Sequence, residues 1–206
     1  MYVPPKFAVD DEEAWQIVDD AGAAMLVIQT TEGMASVYVP ILVTNDRHVL
    51  ATHVARANPW WKAVGDGAEV LALFLAASAY VTPSYYPSRF ENPGVVPTWN
   101  YVAAEIHGLA TIHDDLEWKL RQTGLVTERF ERGRVPEWRA DDLDQQFREG
   151  QLKAIVGIEI AVSSIEGKSK LSQNRPEIDR VNVRDQFSEG TLSEQNVAQR
   201  MDPPSE

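Results

Sequence analysis

A succession of six or so β-prone apolar runs, spaced by hairpin-sized turns, limits what this 206-residue chain can fold into. The runs cover residues 23–29, 35–43, 47–53, 69–77, 79–86 and 98–113, the last with a bend expected near Gly108. Thr30-Thr31-Glu32-Gly33 and Asn45-Asp46 are turn signals between them. There is no strand–helix–strand alternation and no glycine-rich phosphate loop, which argues against a doubly wound parallel sheet. Gly65-Asp66-Gly67 reads as a turn and nothing more. The expectation is a mainly β protein with added α: a small antiparallel barrel carrying peripheral and C-terminal helices.

The helical signals are separate from the strands. Asp10 and Glu13 have the spacing of a capping box, Ala14, Trp15, Ile17, Val18 and Ala21 follow at helical period, and Gly22 suits a C-cap. Residues 114–150 change character and read as two or three polar helices broken around Gly133 and Pro136. A strand returns at 154–165 with Gly157 as a candidate bulge, and Pro176 opens a helix to about Phe187. The tail 201–206 is expected to fray. These readings give one domain, 1–206, with a helical insertion at about 114–150 and a C-terminal helical extension at about 176–201.

Composition narrows the function classes. The chain has no cysteine, so disulfides, thiolate metal sites and cysteine nucleophiles are excluded. It lacks any run of about 18 apolar residues, and its opening MYVPPKFAVDDEEAW has no basic segment followed by an apolar core. A cytoplasmic protein without a membrane span is expected. With 31 Asp+Glu against 19 Lys+Arg, the formal charge is −12. Loose nucleic-acid binding requires clustered cations, and this balance opposes it.

Three segments invite chemistry. In THVARANPWW, a His, an Arg and an Asn follow an apolar run and precede two tryptophans. It is either a strand end whose polar residues face water, or an anion pocket in which a guanidinium fork meets a phosphate. VPTWNY places Asn100 between Trp99 and Tyr101 inside a strand, where Asn is depleted. The aromatics are either structural or the wall of a planar ligand site. KSKLSQNR holds seven polar side chains around one Leu. It reads as a solvated loop, or as a phosphate contact leading into the Pro176 helix. The four histidines occur singly, with no metal-ligand spacing, and no GxSxG elbow marks a nucleophile.

These motifs in this order, from MYVPPKF through the NPWW segment, AYVTPSYY and VPTWNY to KLSQNR, resemble the PaiB-type family. Its members are described as FMN-binding negative transcriptional regulators associated with sporulation and protease synthesis. Phe74-Leu75-Ala76-Ala77 lacks a usual Gly-Pro, and Tyr85 stands where Trp is common. The resemblance implies a split β-barrel of the pyridoxamine-phosphate-oxidase type that binds FMN at a homodimer interface. It implies Thr52, His53, Arg56 and Asn58 near the flavin phosphate, and Trp99, Asn100 and Tyr101 along the ring system. Lys170, Ser172, Gln173 and Arg175 would close the pocket.

Function stays open at this level. One reading is a flavin-binding regulator acting on DNA or through a partner. A second is a flavin-dependent reductase or oxidase, since FMN itself carries the redox step. The third is a haem-binding or haem-degrading split barrel using a histidine ligand. No basic recognition helix supports the DNA label: the cations between Lys119 and Arg148 are interleaved with Glu128, Glu131, Glu137 and Asp141.

Overall fold

Asp10 opens the first helix through its side chain, whose Oδ1 accepts the Glu13 backbone N–H at 2.9 Å. α1 runs Asp11–Ala21 and buries Ala14, Trp15, Ile17 and Val18. It stops at Gly22, whose φ of 64° is left-handed backbone that glycine adopts without strain. The computed structural model describes residues 1–44, 46–91 and 93–201. Asn45 of the expected Asn45-Asp46 turn, the tail beyond Met201 and the side chain of Asp141 lie outside this description.

The strands are β1 (Ala23–Thr30), β2 (Gly33–Pro40), β3 (Leu42–Val43) and β4 (Val49–Ala55). After the short helix α2 (Trp60–Val64) come β5 (Glu69–Val81) and β6 (Thr98–His113). Helices α3 (Leu116–Glu131) and α4 (Gln145–Lys153) precede β7 (Ile155–Lys170), and α5 (Glu177–Ser188) and α6 (Leu192–Met201) follow it. The order in the seven-stranded sheet is β2-β1-β5-β6-β7-β4-β3. β1 pairs antiparallel with β2 and β5, and β4 with β3 and β7.

Four expectations are corrected. The run 35–43 divides at Pro40 into β2 and β3, since proline has no N–H to give a ladder. The two strands expected over 69–77 and 79–86 are one, β5, which ends at Val81; Pro83–Tyr85 instead form a 3₁₀ turn, since Pro83 has no N–H to give a ladder. The inward positions of β5 shift from Val70, Ala72 and Phe74 to Ala77, Ala79 and Val81, a slip in alternation that leaves the strand unbroken. Gly157 forms no bulge, because it stays in register opposite His53. Its missing Cβ makes room for Trp118, whose ring carbon would lie 2.1 Å from it. Finally, β7 continues five residues past 165, taking Lys168, Ser169 and Lys170 of KSKLSQNR into the sheet with Lys168 and Ser169 buried.

The chain forms two compact units. The first comprises Met1–Ala21, Phe74–Glu105 and Ile165–Glu206. In it α5 packs on α6 and on the 3₁₀ turns Pro83–Tyr85 and Pro87–Phe90, burying Phe187, Val183 and Val197. Fully buried Asp179 ties the second turn down, accepting from the Ser88 N–H at 2.9 Å and hydroxyl at 2.6 Å. The second unit comprises Gly22–Leu73 and Ile106–Ser164. Its core holds Leu26, Ile28, Leu50, Ile106, Ile158 and Ile160.

Candidate functional site

The residues that sequence marked fall into two groups, one in each unit. In the first unit, the inward positions of β6 include Asn100, wholly buried beside Val102 and Ala104. A buried carboxamide needs partners. Its Oδ1 accepts the Ser172 hydroxyl at 3.0 Å, and its Nδ2 lies 3.8 Å from the Met201 sulfur. Ser172 is itself buried and held at φ 66°, a left-handed backbone uncommon for serine. Gln173 clamps the turn around it, with Oε1 accepting the Leu171 N–H at 2.7 Å and Nε2 donating to the Ser169 carbonyl at 2.6 Å.

This turn borders a cavity of about 260 Å³ lined by Lys6, Phe7, Val96, Pro97, Thr98, Asn100, Lys170, Ser172, Asn174 and Arg175. Three of these are cations, and no carboxylate is among them. Lys170 donates to Thr98 Oγ1 and the Trp99 carbonyl, each at 2.5 Å, so one of its three N–H groups remains beyond these partners. Burial, and then the charges of Lys168 and Arg175, push the Lys170 ammonium below the usual lysine range. Like charges gathered in an acidic chain mark a site suited to an anion. Lys168 lies over the Tyr101 ring at 5.2 Å, and Arg175 over Tyr86 at 4.4 Å. Trp99 is half-exposed and meets Tyr80 edge-on at 6.1 Å. Of the expected residues, Asn100, Lys170, Ser172 and Arg175 line the cavity, whereas Trp99, Tyr101 and Gln173 support it from outside. Lys6, Phe7, Val96, Pro97, Thr98 and Asn174 complete it. Lys6 lies outside the three segments that invite chemistry, because a lone Lys carries no spacing signal.

The four marked residues of the second unit are each bonded within the protein. Thr52, fully buried on β4, donates to the Pro40 carbonyl at 2.7 Å. His53 Nδ1 meets Gln122 Oε1 at 3.0 Å. Asn58 accepts the Trp60 N–H at 3.0 Å, which starts α2. Arg56 spreads its guanidinium over the Lys153 and Ile155 carbonyls and both carboxylate oxygens of Asp114. The anion that Arg56 holds here is therefore the protein's own, and Asp114, 58 residues along the chain, was invisible to motif reading. Nearby, His113 stacks on Trp118 at 4.5 Å, and both donate to Glu159 at 2.9 Å. Among the described residues, no group of three or more His, Cys, Asp and Glu side chains is arranged to hold a metal ion, and no helix is long and apolar enough to cross a membrane.

Solved structures define the class. The chain matches the FAD and heme binding protein from Mycobacterium smegmatis with a TM-score of 0.62 at 18% identity, over 85% of this chain and 79% of that one. It matches the flavocytochrome Anf3 from Azotobacter vinelandii with a TM-score of 0.62 at 12% identity, over 85% and 75%. The fold is a split β-barrel, mainly β with added α. Residues 1–164 match the family described as "Putative FMN-binding domain". The chain is also 34% identical over 190 residues to Protease synthase and sporulation protein PAI 2 of Bacillus subtilis, across 91% of this chain and 89% of that protein. It belongs to the PaiB-type family of FMN-binding split barrels, and FMN is its cofactor.

Proposed function

We propose that the chain is a flavin-binding regulator of PaiB type that holds the FMN phosphate in the three-cation cavity of the first unit. The observation that carries this reading is the lining itself: Lys6, Lys170 and Arg175 around the buried Asn100–Ser172 pair, with no acid. Ammonium, guanidinium and hydroxyl donors match a phosphate monoester, and each charge-assisted bond contributes about 1.5–3 kcal/mol. At about 260 Å³ the cavity is smaller than ordinary ligand pockets of roughly 300–1,000 Å³. It suits the phosphate end of FMN, with the ring completed by a second copy in a homodimer. Trp99 and Tyr101 are the ring-side candidates. Bound FMN would supply electron-transfer chemistry, and the chain would supply binding and orientation.

Two further observations favour regulation over turnover and a protein partner over DNA. The relative in Bacillus subtilis carries the name of a protease synthase and sporulation protein. The net charge of −12 opposes contact with phosphate backbones.

The test is an FMN titration followed by flavin fluorescence. Lys170→Met should weaken FMN about ten- to a hundredfold and leave riboflavin, which lacks the phosphate, unchanged. Equal FMN affinity in wild type and Lys170→Met removes the phosphate from this cavity. The absorption spectrum of the purified protein should be that of flavin, and a Soret band would replace this reading with the haem one. Steady oxidation of NADH or NADPH would make the protein an enzyme.

A further inference from the structure

Helix α3 carries a glycine that its own packing does not require. Gly124 lies mid-helix, where glycine is the least favourable residue after proline. A Cβ built on it would meet nothing within 4 Å. Close packing therefore does not account for the missing side chain. Gly124 borders a cavity of about 940 Å³ within the second unit, at the upper end of the range for small-molecule sites.

One face of α3 forms a wall: Leu120, Thr123, Gly124, Thr127, Glu128 and Glu131 follow the i, i+3, i+4 spacing of a single helix side. Trp138, Leu143 and Leu152 make much of the rest apolar, and Trp138 is half-exposed, offering a flat surface. The carboxylates of the wall have partners in the protein. Glu128 meets Arg132 at 3.1 Å, Glu131 accepts the Trp138 N–H at 3.2 Å, and Glu137 lies 3.7 Å from Arg139. A charged ligand is not called for.

His53 adds the polar contact. Its Nδ1 faces Gln122 Oε1 at 3.0 Å, and Gln122 is buried. A carboxamide oxygen only accepts, so Nδ1 carries the hydrogen and Nε2 of the neutral ring is left as an acceptor. His53 lines the cavity. We infer that this cavity is a second ligand site, separate from the FMN phosphate site, for a neutral aromatic small molecule bearing one N–H or O–H donor. Its ring lies against the bare backbone at Gly124, and its donor meets His53.

N-Phenyl-1-naphthylamine has this chemistry, and its fluorescence rises in apolar surroundings. Titrated into the full-length protein, it should bind saturably with one site per chain. Gly124→Leu fills the cavity while improving helix propensity, and should weaken the probe at least about tenfold. Gly150→Leu makes the same helical gain at a glycine outside the lining and should change nothing. His53→Phe keeps a ring but loses the acceptor, and should weaken the probe about fivefold. Saturating FMN should leave probe binding unaltered. No saturable binding, equal affinity in Gly124→Leu and Gly150→Leu, or displacement of the probe by FMN mole for mole would each overturn the assignment.

Discussion

Arg56 and Asp114 are bound fork to fork, both carboxylate oxygens facing the guanidinium, and Lys119 adds a third bond to the same carboxylate at 3.0 Å. Hydrogen bonds from Arg56 and then Lys119 hold the Asp114 carboxyl at about 2, below its usual 3.8. A carboxylate depressed in the fold contributes stability that is whole above 3.8 and lost as pH falls through about 2. Urea unfolding across that window should show wild type losing stability that Asp114→Asn never had.

The same cluster predicts an order of costs at neutral pH. Asp114→Asn leaves the buried Lys119 ammonium without a counter-charge and should cost about 1–3 kcal/mol. Lys119→Met removes the buried charge and leaves Asp114 paired with Arg56, so it should cost under about 1 kcal/mol. The reverse order in denaturant melts would mean that the ammonium is not held by Asp114.

Gly157 and Trp118 form a steric lock. An alanine Cβ would sit 2.1 Å from the indole ring, which also donates to Glu159. Gly157→Ala should therefore cost about 2–3 kcal/mol. Adding Trp118→Leu should recover part of that loss, because the colliding ring is gone. If the two costs simply add, the collision is not the cause.

Under the proposed phosphate site, the lowered Lys170 ammonium would set a pH limit on FMN binding. Its charge is lost at a pH below the usual 10.5, so FMN affinity should start to fall earlier than an ordinary lysine would allow. Lys170→Arg stays charged and should carry that limb to higher pH. An alkaline limb identical in both proteins excludes Lys170 as its source.

Asp179 offers a fifth measurement. Asp179→Ala strands the Ser88 N–H and hydroxyl and should cost about 2–3 kcal/mol. The turn that includes Arg89 should then be cut faster by trypsin. Asp179→Asn, which keeps one acceptor oxygen, should lie between the two.

Local signals were legible in the sequence, and long-range ones were not. The Asp10 cap, the Gly22 stop and the Pro176 start each depend on neighbours within four residues. Alternation located the strands but not their ends: Ser78 reads as a break, yet it lies within β5, which itself stops at Val81. The polar end of β7 looked like a loop because its burial comes from the chain's first residues, where Val9, just before α1, and Ala14 within it crowd Gly167. Partner identity was hidden throughout. Asn100 reads as odd in a strand only until Ser172, 72 residues on, supplies its hydroxyl.

The pairing of β4 with β7 also bears on how the protein is made. Val49 faces Ala161, so 161 − 49 = 112 residues separate these partners along the chain. A ribosome adding roughly 5–20 residues per second needs about 6–22 seconds to supply β7 after β4 has been synthesised. Through that interval the apolar β4 edge stands without its native neighbour, an opening for association between nascent chains. Synthesis in cells short of chaperones should therefore lose more of this protein to aggregates than its finished stability would suggest.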